Sequence, residues 1–259
     1  MEQINENFLP VLERIARTAG AAILEIYGGH VATWTKSDAS PVTEADIRAD
    51  EIICAELKRL FPGTMIVTEE GDMGFFGTKA DEFFLVDPLD GTKEFLSRNG
   101  EFTVNIALIR QGRAVAGVVY APAVGAEGAM YLAASGLGAW RHDASGKTSL
   151  FCAPRQPGMP IRVIGSRSHS GTEMADWLNN LDEDYTFVPA GSSLKFCRIA
   201  EGKADIYPRL GPTSQWDTAA GQCIIETAGG SVRTFDGGPL LYGLNRTILN
   251  PDFVARGCF

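Results

Sequence analysis

The chain has 259 residues, with 23 Lys and Arg against 32 Asp and Glu for a formal charge of −9, and an apolar fraction of 45%. These values fit a globular chain with a sizeable core and exclude collagen, intrinsic disorder and a disulfide-stapled miniprotein. The negative balance also argues against a nucleic-acid polymer as partner, because a phosphate-bearing ligand would have to be met by bound metal or by local Lys and Arg.

From Phe8 to Tyr27 apolar residues recur at helical spacing, and Gly28-Gly29 supplies a stop. A second helix is expected to begin at Thr43, ahead of Glu44-Ala45-Asp46, and to run to Phe61-Pro62-Gly63. The period then changes. Residues 64–68 and 83–86 are short β-rich runs that end in acids, residues 102–109 and 114–120 predict a hairpin through Gln111-Gly112, and residues 129–133 add a strand. This first part reads as α+β with an antiparallel sheet.

Prolines and a glycine cluster between Ala153 and Pro160, which sets the expected boundary near residue 155. Beyond it strands (161–165, 185–188, 204–207) alternate with helices (172–180, 192–202, 217–228), the pattern of an α/β unit. Two domains are therefore expected, residues 1–155 and 156–259. The five cysteines are odd in number and widely spaced, which favours a reducing compartment over a disulfide framework. No run approaches about 18 apolar residues, so integral membrane association is not expected. A cytoplasmic setting is, with peripheral attachment to the inner membrane left open.

The sharpest chemical signal is Asp87-Pro88-Leu89-Asp90-Gly91-Thr92, directly after an apolar strand. A turn there would converge two carboxylates on one point, while Gly91 and Thr92 offer amides and a hydroxyl at a helix start. Converging hard oxygens suit Mg²⁺, although a bare DxxD is more often a surface turn with a capping acid. Glu69-Glu70 closes the preceding strand, Asp46 lies in the first turn of the second helix, and Asp217 follows Trp216 at the start of an apolar helix. Each alone also reads as a solvated pair, a favourable helix-dipole charge or an N-cap.

Four motifs in order, Val42-Thr-Glu-Ala-Asp46, Glu69-Glu70, Asp87 to Thr92 and Trp216-Asp-Thr-Ala-Ala220, resemble those of the lithium-sensitive, magnesium-dependent phosphatases of the inositol monophosphatase superfamily. Asp90-Gly-Thr-Lys-Glu-Phe95, residues 98–107, Gly191 to Cys197 and Tyr207-Pro-Arg209 look like the bacterial 3'(2'),5'-bisphosphate nucleotidase branch. The resemblance implies a layered αβαβα sandwich and hydrolysis of the 3'-phosphate of adenosine 3',5'-bisphosphate, with its sulfated form as a further substrate. The inositol or sugar phosphates of other branches and a silent nucleotide-binding module are the rival readings. It implies two or three Mg²⁺ held by Glu69, Asp87, Asp90, Asp217 and the Leu89 carbonyl, which matches the charge-neutralising chemistry a phosphomonoester dianion needs. Asp46 and Thr92 would orient and deprotonate the attacking water, with Glu70 in support. Gly91, Thr92, Ser192, Lys195 and Arg209 would contact the nucleotide, as would His169, on a loop where the resemblance is less direct. Homodimers occur in the superfamily.

Overall fold

The computed structural model describes residues 4–29, 31–35, 41–71, 77–166 and 172–258. In chain order they form α1 (Phe8–Tyr27), β1 (Thr33–Thr35), β2 (Pro41–Thr43), α2 (Glu44–Leu60), β3 (Met65–Thr68), β4 (Glu82–Asp90), α3 (Thr92–Leu96), β5 (Thr103–Arg110), β6 (Arg113–Ala121), β7 (Ala129–Ala134), β8 (Gly138–Asp143) and β9 (Gly146–Ser149). There follow β10 (Ile161–Gly165), α4 (Thr172–Asn179), β11 (Tyr185–Pro189), α5 (Leu194–Ala200), β12 (Ile206–Arg209), α6 (Gln215–Thr227), β13 (Ser231–Thr234) and β14 (Phe253–Arg256).

A seven-stranded sheet runs β3-β4-β5-β6-β7-β8-β9, and a five-stranded sheet runs β11-β10-β12-β14-β13. Both faces of the larger sheet are buried from β4 to β7, which is why those strands read as nearly unbroken apolar runs. Alternate residues serve opposite faces. Phe84, Val86, Val104, Ile106, Val118 and Leu132 pack with α1 and α2, whereas Phe83, Leu85, Ala107, Val119 and Tyr131 share a core with α5 and α6. That second core also holds Ile164, Tyr207 and Phe253 of the smaller sheet. Trp177 and Leu178 of α4 cover the far face of the smaller sheet over Ile161, Val163, Ile206 and Val254. The stacking is thus helix, sheet, helix, sheet, helix, the expected αβαβα sandwich.

The antiparallel expectation for the first part holds from β4 to β9, but β3 pairs with β4 in parallel. In the second part β10 pairs in parallel with β11 and β12, and the terminal strands β13 and β14 add antiparallel pairings. Those two, with β8 and β9, are short and mix charged and apolar residues, so neither period stands out in the sequence. Two helix starts differ from expectation. Ser192 has a positive φ of 44°, so α5 begins at Leu194 after Ser193. Ser214 caps α6, which makes Asp217 its third residue rather than its cap. Among the described residues no helix is long and apolar enough to cross a membrane.

Candidate active site

Asp46 and Asp217 are placed by the same local device. Each is the third residue of its helix and closes a capping box: Thr43 N–H donates to Asp46 Oδ2 at 2.8 Å, and Ser214 N–H donates to Asp217 Oδ2 at 2.8 Å. The acid thereby satisfies one of the amides that a helix start leaves unpaired. Thr43 Oγ1 also donates to Asp46 Oδ2 at 2.6 Å, and Thr92 Oγ1 donates to Asp46 Oδ1 at 3.2 Å.

Asp87 and Asp90 are placed by a fault in the sheet. The expected Pro-Leu turn is instead part of β4, whose pairing with β5 shifts there: Asp87 faces Asn105 and Asp90 faces Thr103, three steps on one strand against two on the other. This is a β-bulge with one extra residue. In a regular strand residues three apart point to opposite faces; the extra residue resets the alternation, so both acids share the α6 side of the sheet with Leu85. The bulge also explains a proline inside a buried strand. Leu89 N–H donates to Asp87 Oδ1 at 3.0 Å, which braces that carboxylate. Glu69 follows β3, and its N–H donates to the Val86 carbonyl at 3.1 Å, which carries it alongside Asp87.

These placements bring carboxylate oxygens of Glu69, Asp87 and Asp217 within 4.8 Å of one another. Asp87 is 1% exposed. Burial, then the charges of Glu69, Asp90, Asp217 and Asp46, hold its carboxyl well above the usual range. Burial, followed by Asp90 and Glu69, does the same to Asp217. An all-oxygen, hard donor set with this excess of negative charge fits a divalent cation such as Mg²⁺. Asp90 stands beside the group rather than within it, its Oδ2 accepting from Ser193 Oγ at 2.7 Å and Asn105 Nδ2 at 3.2 Å. Glu70 is half-buried in the turn after β3, also outside the three-carboxylate group.

Asp90 and Asp217 open onto a cavity of about 140 Å³ that Ser192, Lys195 and Arg209 also line. Lys195 is 7% exposed, its Nζ donating to the Ala190 carbonyl at 3.5 Å and lying 5.6 Å from the Tyr207 ring centre. Burial pulls its ammonium below the ordinary range, with Asp90 acting in the opposite sense. Arg209 donates to the Gly211 and Pro212 carbonyls at 3.3 and 2.5 Å. Gly91 has φ 93°, and a Cβ there would lie 3.3 Å from Ser192 Cβ. A Cβ on Gly191 would lie 2.8 Å from the Glu101 carbonyl oxygen, so the loop before α5 meets the loop around α3 only because this residue lacks a side chain. Glu101 Oε2 accepts from Gly191 N–H at 2.9 Å across the same contact.

The structure therefore gathers Glu69, Asp87, Asp217 and Asp90, sets Asp46 and Thr92 in contact, and lines one cavity with Gly91, Ser192, Lys195 and Arg209. His169 lies outside the described residues. Ser193 and Asn105 were not singled out from sequence. Asn105 carries a readable signal, a lone amide in an apolar strand, whereas Ser193 is indistinguishable there from its neighbour Ser192.

The sequence model of the inositol monophosphatase family matches residues 4–256. The 3'(2'),5'-bisphosphate nucleotidase CysQ of Escherichia coli K12 is 45% identical over 243 residues, spanning 93% of this chain and 96% of that protein. The CysQ of Buchnera aphidicola is 40% identical, spanning 98% and 96%. The crystal structure of CysQ from Bacteroides thetaiotaomicron, described as a bacterial member of that family, superposes with a TM-score of 0.82 at 35% identity, covering 95% of this chain and 96% of the other.

Proposed function

Because the chain belongs to the inositol monophosphatase family, we propose that it is a Mg²⁺-dependent phosphomonoesterase that converts adenosine 3',5'-bisphosphate to AMP and phosphate. The observation that carries this reading is one shared cavity, in which Asp90 and Asp217 of the acidic cluster meet Lys195 and Arg209. A substrate with one phosphate to lose and another to keep needs both halves of that cavity.

Glu69, Asp87, Asp90 and Asp217, with the Leu89 carbonyl, would hold two or three Mg²⁺. When bound, these supply charge neutralisation at the phosphoryl oxygens and a more acidic water. Thr92 Oγ1 donates to Asp46 Oδ1, so its lone pairs are free to accept from a water, and a proton leaving that water can pass through the hydroxyl to Asp46. Thr43 holds the other Asp46 oxygen, so the carboxylate cannot rotate away from Thr92. The family resemblance gives Glu70 a supporting role to this pair. The Gly91 and Thr92 amides, Ser192, Lys195 and Arg209 hold the nucleotide, and the family resemblance adds His169 to these contacts. Binding rests on charge-assisted hydrogen bonds to phosphate oxygens. In this reading residues 1–155 carry the metal chemistry together with Asp217, and residues 156–259 select the substrate together with the Gly91 and Thr92 amides. The five free thiols accord with a cytoplasmic setting, and peripheral attachment to the inner membrane is dropped.

The test is phosphate release with Mg²⁺, with and without EDTA, from adenosine 3',5'-bisphosphate, its sulfated form, inositol 1-phosphate and fructose 1,6-bisphosphate. Preference for the nucleotides that vanishes with EDTA is the expected result. Preference for the inositol or sugar phosphate overturns the substrate and keeps the metal chemistry; no release from any overturns both.

A further inference from the structure

The hydrogen bonds that the Asp90 carboxylate accepts among the described residues fall on one oxygen. Oδ2 receives Ser193 Oγ at 2.7 Å, Asn105 Nδ2 at 3.2 Å and Thr103 Oγ1 at 3.5 Å, which leaves Oδ1 for a cation. Asn105 Nδ2 also lies 2.9 Å from Ser193 Oγ, so its two N–H bonds can serve the carboxylate and the hydroxyl at once. Ser193 then has a single hydrogen to give and two acceptors in reach, Asp90 Oδ2 and the Asp217 carbonyl at 2.8 Å. A carboxylate oxygen is a stronger acceptor than a backbone carbonyl, and the Asp90 contact is also the shorter, so the hydrogen goes to Asp90. The Ser193 oxygen thus ties the loop before α5 to the β4 bulge and, by accepting from Asn105, to β5. Ser193 is 1% exposed, so the hydroxyl is shielded from bulk solvent.

That loop is the one that carries the nucleotide contacts. Ser192, next in chain, holds a positive φ of 44°, a conformation costly for a residue with a side chain and held here by its surroundings. Lys195 lies two residues on. The Ser193 hydroxyl is therefore a tie between the carboxylate that faces the metal and the segment that faces the second phosphate.

We propose that Ser193 is a positioning residue, which turns Asp90 so that Oδ1 is presented to Mg²⁺ and locks the Ser192–Lys195 loop to the metal site. The proposal rests on the acidic cluster being a Mg²⁺ site. Its test is calorimetric titration of Mg²⁺ alone into the wild-type chain and into Ser193→Ala, with thermal melts of both in EDTA. The expected result is an Mg²⁺ Kd about tenfold weaker in Ser193→Ala, in line with loss of a hydrogen bond to a charged group. At saturating Mg²⁺ the KM for the bisphosphate should also rise several-fold. Ser193→Thr keeps the hydroxyl and should lie nearer the wild type than Ser193→Ala; the reverse order overturns the proposal. A merely structural Ser193 would lower the melting temperature in EDTA and leave the Mg²⁺ Kd unchanged, which also overturns it. A wild-type chain that binds Mg²⁺ but spares the nucleotide overturns the substrate reading alone, and the Kd comparison still decides on Ser193. A wild-type chain that binds no Mg²⁺ overturns the metal reading and this proposal together.

Discussion

Thr92 and Asp46 lie 46 residues apart in sequence and meet at 3.2 Å, one at the start of α3 and the other in the first turn of α2. The contact joins two helix starts, so the proposed proton path would be set by backbone that is already hydrogen-bonded. Thr92→Val, which keeps the shape and removes the hydroxyl, should lower kcat about a hundredfold while KM changes little. Thr92→Ser should retain most of the activity. Steady-state kinetics on the three proteins check this.

Asp87→Asn and Asp217→Asn should each lower turnover by more than about a hundredfold, since several kcal/mol of charge stabilisation goes with each carboxylate. Both should stay folded. An Asn oxygen can still accept the Leu89 N–H at position 87 and the Ser214 N–H at position 217, the two bonds that tie these side chains to the backbone. Burial and neighbouring carboxylates raise both groups, so each amide should raise the melting temperature in EDTA or leave it unchanged. A calorimetric melt beside a phosphate-release assay separates the two effects.

Mg²⁺ should stabilise the wild-type chain. At a hundred times its Kd, binding to the folded state alone contributes about 2.7 kcal/mol per site. The shift should vanish in Asp87→Asn, and a melt with and without EDTA reads it directly.

Lys195→Ala should raise KM for the bisphosphate about thirtyfold, the worth of one charge-assisted contact of about 2 kcal/mol. Hydrolysis of inositol 1-phosphate, with no second phosphate to hold, should fall much less. Equal losses on both substrates would make the lysine a part of the cavity wall only.

Away from the site, Arg162 grips Asp205 through Nε at 3.0 Å and Nη2 at 2.6 Å, with the Arg162 N–H adding a third bond at 2.7 Å. Burial pushes the Asp205 carboxyl up, but these bonds outweigh it and hold the group below the usual range. A carboxyl whose folded value is depressed contributes stability that is complete above its unfolded value and fades as pH falls toward the folded one. Asp205→Asn should therefore cost about 2 kcal/mol at neutral pH and progressively less as pH falls below the ordinary carboxylate range. Urea unfolding across that range checks both the size and the sign.

The acids were legible in the sequence because each sits beside residues that announce its setting. Thr43 and Asp46 spell a helix start, and Glu69 and Asp87 each end an apolar run. What could not be read was how they converge. Two acids three apart in a strand belong on opposite faces, and only the bulge opposite Asn105 and Thr103 brings Asp87 and Asp90 to one. Likewise nothing in Gly191-Ser192-Ser193 tells which hydroxyl faces the carboxylate, because that depends on the left-handed turn at Ser192, which its buried surroundings impose. The order of elements predicted an α+β part followed by an α/β part, and the layered sandwich came from the family resemblance. The strands β8, β9, β13 and β14 were not legible, because they mix charged and apolar residues over at most six positions and show no clear period.

The parallel pairing of β3 with β4 matches only four residues, Met65 to Thr68 against Phe83 to Val86. Glu69 and Glu70 follow at once, two identical side chains at adjacent positions. A slip of a single residue between these strands would carry Glu70 toward the place Glu69 holds and turn Glu69 away. Met65 and Val67 of the edge strand pack into the core shared with α5 and α6, and Ile66 into the core under α1 and α2, so that slip is costly because it would turn each of these side chains toward the opposite core. The choice between two chemically equal acids is thus made by three apolar side chains of one short strand.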